Sequence, residues 1–165
     1  MATSRTGKEA CDLLDADHRA IKKLFKTYEE LAGSRARSAS QKKLDLSRRI
    51  GQELTVHLQI EEELFYPALR AVVKDTVLLD VATVEDDLIK ELVAQIQQGE
   101  GHALTDARVR VLGESIDRHV KQQRNTIFPK ARAARKLDLI ALAEQLEARK
   151  ETLLMEMTDT GALVD

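Results

Sequence analysis

The sequence predicts an all-α chain, an antiparallel four-helix up-and-down bundle with an extra C-terminal helix. Three observations carry this. Only 7 Gly and 2 Pro interrupt 165 residues that are 43% hydrophobic and 33% charged, the composition of a water-soluble helical protein. Apolar residues recur at three- and four-residue steps through five stretches, with no competing alternation of β-branched residues. Finally, the chain repeats itself: His57 to Pro67 and His119 to Pro129 match in frame, 62 positions apart, with histidine ten residues before proline in both.

The first helix is expected from about Lys8 to Leu31, on the spacing of Cys11, Leu14, Ile21, Phe25 and Tyr28. A loop over Gly33 to Ser40 precedes a second, from about Gln41 to Tyr66, striped by Leu46, Ile50, Leu54, Leu64 and Phe65. Pro67 should end or kink it, because its ring removes a backbone donor and clashes with the preceding turn. The third runs from about Thr76 to Gln98, along Leu79, Ala82, Ile89, Val93 and Ile96. Thr105 is the expected N-cap of the fourth, which should break at Pro129. A fifth, from about Leu137 to Met157, carries Leu139, Leu142, Leu146 and Leu153. The repeat makes helices two and four equivalent, so helices one and three are equivalent in turn and Asp86 stands where His18 stands. Connections of this length suit one bundle domain over residues 1–165.

Charge and cysteine usage exclude several functions. Lys and Arg total 26 against 28 Asp and Glu, for a net charge of −2, so the basic footprint of a general nucleic-acid binder is missing. The seven Lys and Arg between Arg118 and Lys136 spread around a helix axis as a solvated face. One cysteine, Cys11, rules out an intramolecular disulfide or a multi-cysteine cluster and reads as a small core residue. No apolar run has membrane-spanning length and the amino terminus lacks a signal-peptide core, which reads as a cytoplasmic protein.

Polar residues interrupt every core stripe. Helix one shows Leu14, His18, Ile21 and Phe25 on one face, and helix two Ile50, Leu54, His57, Glu61 and Phe65. Helix three aligns Ala82, Asp86, Ile89 and Val93, and helix four Leu112, Ile116, His119, Gln123 and Ile127. His57 and Glu61, four apart, project together. Unpartnered imidazole, carboxylate and amide groups would cost several kcal/mol in a core, whereas their convergence is how helical bundles build metal centres. Of Glu61-Glu62-Glu63 only Glu61 falls on the stripe. His102, off every stripe, reads as surface.

These residues resemble the hemerythrin-like, or HHE cation-binding, family. The likeness runs through Asp17-His18-Arg19 with Leu24-Phe25, His57-x-x-x-Glu61-Glu62 with Phe65-Tyr66-Pro67, Val84 to Lys90, and His119 with Ile127-Phe128-Pro129-Lys130. It implies a four-helix bundle with a non-heme di-iron centre, and roles in reversible oxygen binding, in sensing oxygen, nitric oxide or iron, or in handling peroxide. The metal ligands it implies are His18, His57, Glu61, Asp86, His119 and Gln123. Two of these depart from the family pattern. Asp86 replaces a histidine, and Gln123 replaces the carboxylate of the second His-x-x-x-Glu motif, leaving a neutral oxygen that does not bridge metals as a carboxylate does. One half-site, His18, His57 and Glu61, is intact, so the dinuclear centre is expected to be partly degenerate, with Phe25 and Phe65 restricting water. A ferritin-like site is disfavoured because no Glu-x-x-His occurs. No residue stands out as a general base distinct from the ligands, which favours a binding protein over an enzyme. The rival reading, from another class, is a metal-free structural or interaction bundle.

Overall fold

The computed structural model describes residues 8–99 and 104–159, and every element among them is helical. Helix α1 spans Ala10–Ala32, α2 Arg37–Ile60, α3 Tyr66–Arg70, α4 Val77–Gly99, α5 Leu104–Gln122, α6 Phe128–Ala133 and α7 Leu139–Asp159. Two π-helical turns, Glu61–Phe65 and Gln123–Ile127, fuse α2 to α3 and α5 to α6. Around the bundle α1 packs on α2, α2 on α4, α4 on α5 and α5 back on α1, while α7 lies against α1, α2 and the first π turn. The antiparallel four-helix bundle and its extra helix are as the sequence predicts.

Pro67 and Pro129 correct one expectation: neither ends its helix. A proline has no N–H to donate and its ring crowds the carbonyl four residues back. Here the chain widens before each ring, so that the Tyr66 N–H reaches back five residues to the Glu61 carbonyl and the Phe128 N–H to that of Gln123. An added residue of this kind is a recognised way of carrying a helix past a disruption, often at a functional site. The sequence repeat therefore extends to the backbone, and each π turn opens on a residue of the polar stripe.

Two boundaries also differ. Helix α2 begins at Arg37, not near Gln41, so the second half of the expected loop is helical. Thr105 lies inside α5, buried and with its hydroxyl unpartnered, and is not the N-cap. The turn that would supply the cap, and His102 with it, falls outside the described residues. At the other end of the bundle the N-cap is Glu9, which forms a reciprocal capping box with Asp12 and satisfies the first turn of α1.

The apolar core comes in two blocks. One holds Leu14, Phe65, Ala82, Ile127 and Phe128, and the other Ile21, Leu54, Ile89, Val93 and Ile116. Each inner helix passes from one block to the other across its polar residue: Leu14 to Ile21 across His18, Ala82 to Ile89 across Asp86, Ile116 to Ile127 across His119 and Gln123. The bundle thus carries a buried polar layer between two apolar ones. Cys11 sits in the first block, fully buried, and burial pushes its thiol up to about 12, so it is an unreactive core residue as expected.

Candidate metal centre

Residues His18, His57, Glu61 and His119 meet in that layer, one donor atom from each lying within 4.8 Å of the others, all four buried. The α-helical spacing of four puts Glu61 one turn beyond His57. The approach distances are short: 3.1 Å between His18 Nε2 and His57 Nε2, 2.6 Å from His57 Nε2 to Glu61 Oε1, and 3.5 Å from His119 Nε2 to the same oxygen.

Each imidazole is held from behind. Asp15 Oδ1 lies 3.3 Å from His18 Nδ1, Asp17 Oδ2 accepts from His57 Nδ1 at 3.1 Å, and Asp86 Oδ1 is 3.3 Å from His119 Nδ1. A carboxylate on one ring nitrogen fixes the ring and leaves the other nitrogen free to face the centre. Asp86 therefore shares the core with His18, as their equivalence in the repeat predicts, but it stands on the outer nitrogen of His119. Gln123 is fully buried and donates from Nε2 to the Tyr66 hydroxyl at 3.2 Å, and that hydroxyl donates to Glu61 Oε2 at 2.8 Å.

Without a metal, the charges in this layer compensate one another. Burial opposes the charged form of His57 and His119, but the Glu61 carboxylate outweighs it, and Asp17 behind His57 and Asp86 behind His119 add to the effect. His57 is raised to about 9 and His119 to about 10. His18 goes the other way, to about 3, through burial and then the repulsion of protonated His57. Burial would raise Glu61, yet the charges of His57 and His119 hold it well below the usual carboxylate range. Asp86 is raised to about 6, chiefly by burial, with His119 opposing the shift.

The donor set suits a cation. Glu61 Oε1 and His119 Nε2 have no aligned hydrogen-bond partner, although they lie close to each other and, for Glu61, to His57. Groups that approach closely without pointing at one another are disposed around a common point. Donors held about 2.1 Å from one ion at right angles sit about 3 Å apart, close to the spacing of the two imidazoles. The Oε1 of Gln123 and both oxygens of Asp86 are likewise buried without an aligned partner.

Aromatic packing closes the layer. Phe128 stacks on His18 with ring centroids 6.2 Å apart, and Phe65 meets Phe128 edge-on at 6.0 Å. Phe65 is where the sequence puts an apolar lining residue, whereas Phe25 is only partly buried and packs in the other block. The sequence pattern assigns no role to Phe128, Tyr66, Asp15 or Asp17, although all but Asp15 stand in the motifs that carry the family resemblance. Asp15 had a signal, its three-residue spacing from His18; the approach of Asp17 to His57, 40 residues away, had none.

The Tyr66 hydroxyl joins two buried groups, so its removal should be felt in stability. Tyr66→Phe leaves Gln123 and one oxygen of Glu61 without a partner, at a cost of about 1–3 kcal/mol. The metal-free variant is expected to melt roughly 2–12 °C lower, followed by circular dichroism. An unchanged midpoint would mean that water replaces the hydroxyl.

A helical bundle whose core holds three imidazoles and a carboxylate within reach of one another belongs to the class with a metal-type donor set built between helices. The chain is a member of the hemerythrin HHE cation-binding domain family, whose model matches residues 10–131. Its fold is shared with a crystal structure of a hemerythrin HHE cation-binding domain-containing protein from Mycobacterium kansasii, at a TM-score of 0.70 and 21% identity, covering 92% of this chain and 93% of that one. No curated protein matches at a significant level. Among the described residues, no helix is long and apolar enough to cross a membrane.

Proposed function

We propose that this chain binds non-heme iron through His18, His57, Glu61 and His119, and that the iron takes oxygen or a related small ligand for carriage, sensing or oxidative-stress handling. The observation that carries the reading is the convergence of four buried donors on one point, with Glu61 Oε1 close to two imidazoles and hydrogen-bonded to neither. Imidazole with carboxylate suits iron among the available divalent metals. When bound, iron supplies a redox-active Lewis acid with positions for a small ligand. The rest is done by the chain: Asp15, Asp17 and Asp86 orient the rings, Tyr66 fixes the outer oxygen of Glu61, and Phe65 and Phe128 keep water out.

Asp86 acts through His119, and Gln123 supplies no charge, so the second metal position of the family is weak or empty. Metal analysis of freshly purified protein, with its near-ultraviolet spectrum in air, should give close to one iron per chain. Two stoichiometric irons would show that Gln123 is not a lost ligand. Changing Asp86→His together with Gln123→Glu is expected to raise occupancy toward two and to bring up a near-ultraviolet charge-transfer band; an unchanged count in a folded variant would count against the lost half-site.

The metal-free bundle stays as a second reading because protonated His57 and His119 already pair with Glu61 and Asp86, which offsets the charges of the layer without an ion. Failure to take up iron after anaerobic reconstitution with Fe(II) would favour it.

A further inference from the structure

Helix α7 lies beyond the matched family segment, which ends at residue 131, yet it reaches the polar layer. Lys150 donates to Asp17 Oδ1 at 2.6 Å, and the other oxygen of that carboxylate accepts from His57 Nδ1 at 3.1 Å. We propose that Asp17 and Lys150 are positioning residues for the metal centre, Lys150 locking the Asp17 carboxylate in the plane that holds His57 with Nε2 facing the centre.

The three aspartates behind the imidazoles are anchored differently. Asp15 is tied to Arg19 and Arg124 near the surface, and Asp86 is enclosed and, among the described residues, forms an ion pair with His119 alone. Asp17 is almost as enclosed, its side chain 10% exposed, but its cation comes from α7, 133 residues away in sequence. With one oxygen on each partner, the carboxylate cannot turn about its Cβ–Cγ bond without breaking a contact. Without Lys150, the free oxygen would face a cleft of about 480 Å³ between α1 and α7, where Lys8, Arg19 and water compete for it. The neighbouring Arg149 forks Glu63 in the first π turn at 2.7 and 3.2 Å. Two consecutive cations of α7 thus grip α1, which carries His18, and the turn that carries Glu61.

The affinity part of the test rests on the proposed metal binding; the ring part does not. In the full-length, metal-free, 15N-labelled protein the His57 Nδ1–H should appear as a hydrogen-bonded ring proton. Lys150→Met is expected to shift or broaden that resonance and to weaken Fe(II) binding roughly 10-fold, the lower end for groups that support a ligand. Lys150→Arg should restore both, and Asp17→Asn marks the full loss of the hydrogen bond. If Lys150→Met leaves the His57 resonance in place, the proposal is overturned, whether or not the midpoint of unfolding falls, since a plain brace would lower the midpoint alone. Wild-type protein that takes up no iron overturns the proposed function and leaves the ring result to decide the role of Lys150.

Discussion

Glu61→Ala and His57→Ala are each expected to purify with almost no metal. Glu61 is the one carboxylate among the four converging donors, and it faces the inner nitrogens of both His57 and His119. Its loss takes away a ligand and the charge that offsets the ion, in a fully buried layer where no solvent replaces it. Losing a group that merely supports a ligand typically costs 10- to 100-fold in affinity, so a direct ligand should cost more than about 100-fold. Two imidazoles would be left without their anion, which destabilises the variant as well. Glu61→Gln, which keeps the volume, therefore accompanies it, with circular dichroism to confirm that the bundle forms. His102→Ala, off every apolar stripe, is the control that should keep its metal. Equal metal content across these variants would remove the assignment.

Much of this layer is readable because a bundle writes its interior at three- and four-residue spacing. His18, His57, Glu61, Asp86, His119 and Gln123 all fall on stripes whose apolar members, Phe25 apart, are buried, and all six are themselves buried. The repeat adds the pairing of Glu61 with Gln123, and the structure extends it to backbone shape, since each residue opens a π turn. Spacing does not reveal what happens around prolines. Pro67 announces a disruption but not its remedy, and the π turn is one of several ways to supply the missing room. Asp17 is unreadable for another reason: it sits one position off the stripe, and its partners His57 and Lys150 are fixed by helix packing rather than by its own helix. Asp86 illustrates the limit of the repeat. Equivalent depth carries over from His18, but the shorter aspartate ends at the outer nitrogen of His119, where an imidazole from the matching position faces inward.

Metal affinity should climb steeply with pH, by about 100-fold per pH unit through the neutral range. In the metal-free protein His57 titrates at about 9 and His119 at about 10, because the Glu61 carboxylate outweighs the burial that opposes their charge, while His18, at about 3, is already neutral. A ring binds metal through an unprotonated nitrogen, so at pH 7 an entering ion displaces two protons, one from each raised histidine, and the logarithm of the affinity gains about two for each unit of pH. The slope should fall toward one between about 9 and 10 and vanish above that. The metal-free fold responds in the opposite direction. Histidines raised above their unfolded value of about 6.5 stabilise the folded chain fully below that pH and lose the contribution as pH rises through 9 and 10. Alkali therefore loosens the empty layer while it tightens the loaded one. Calorimetric titration with zinc, which avoids oxidation, in buffers of different protonation enthalpy counts the protons released per ion. Two at pH 7 are expected; none would mean that the imidazoles are neutral before the metal arrives, and that Glu61 and Asp86 do not hold them as a paired layer.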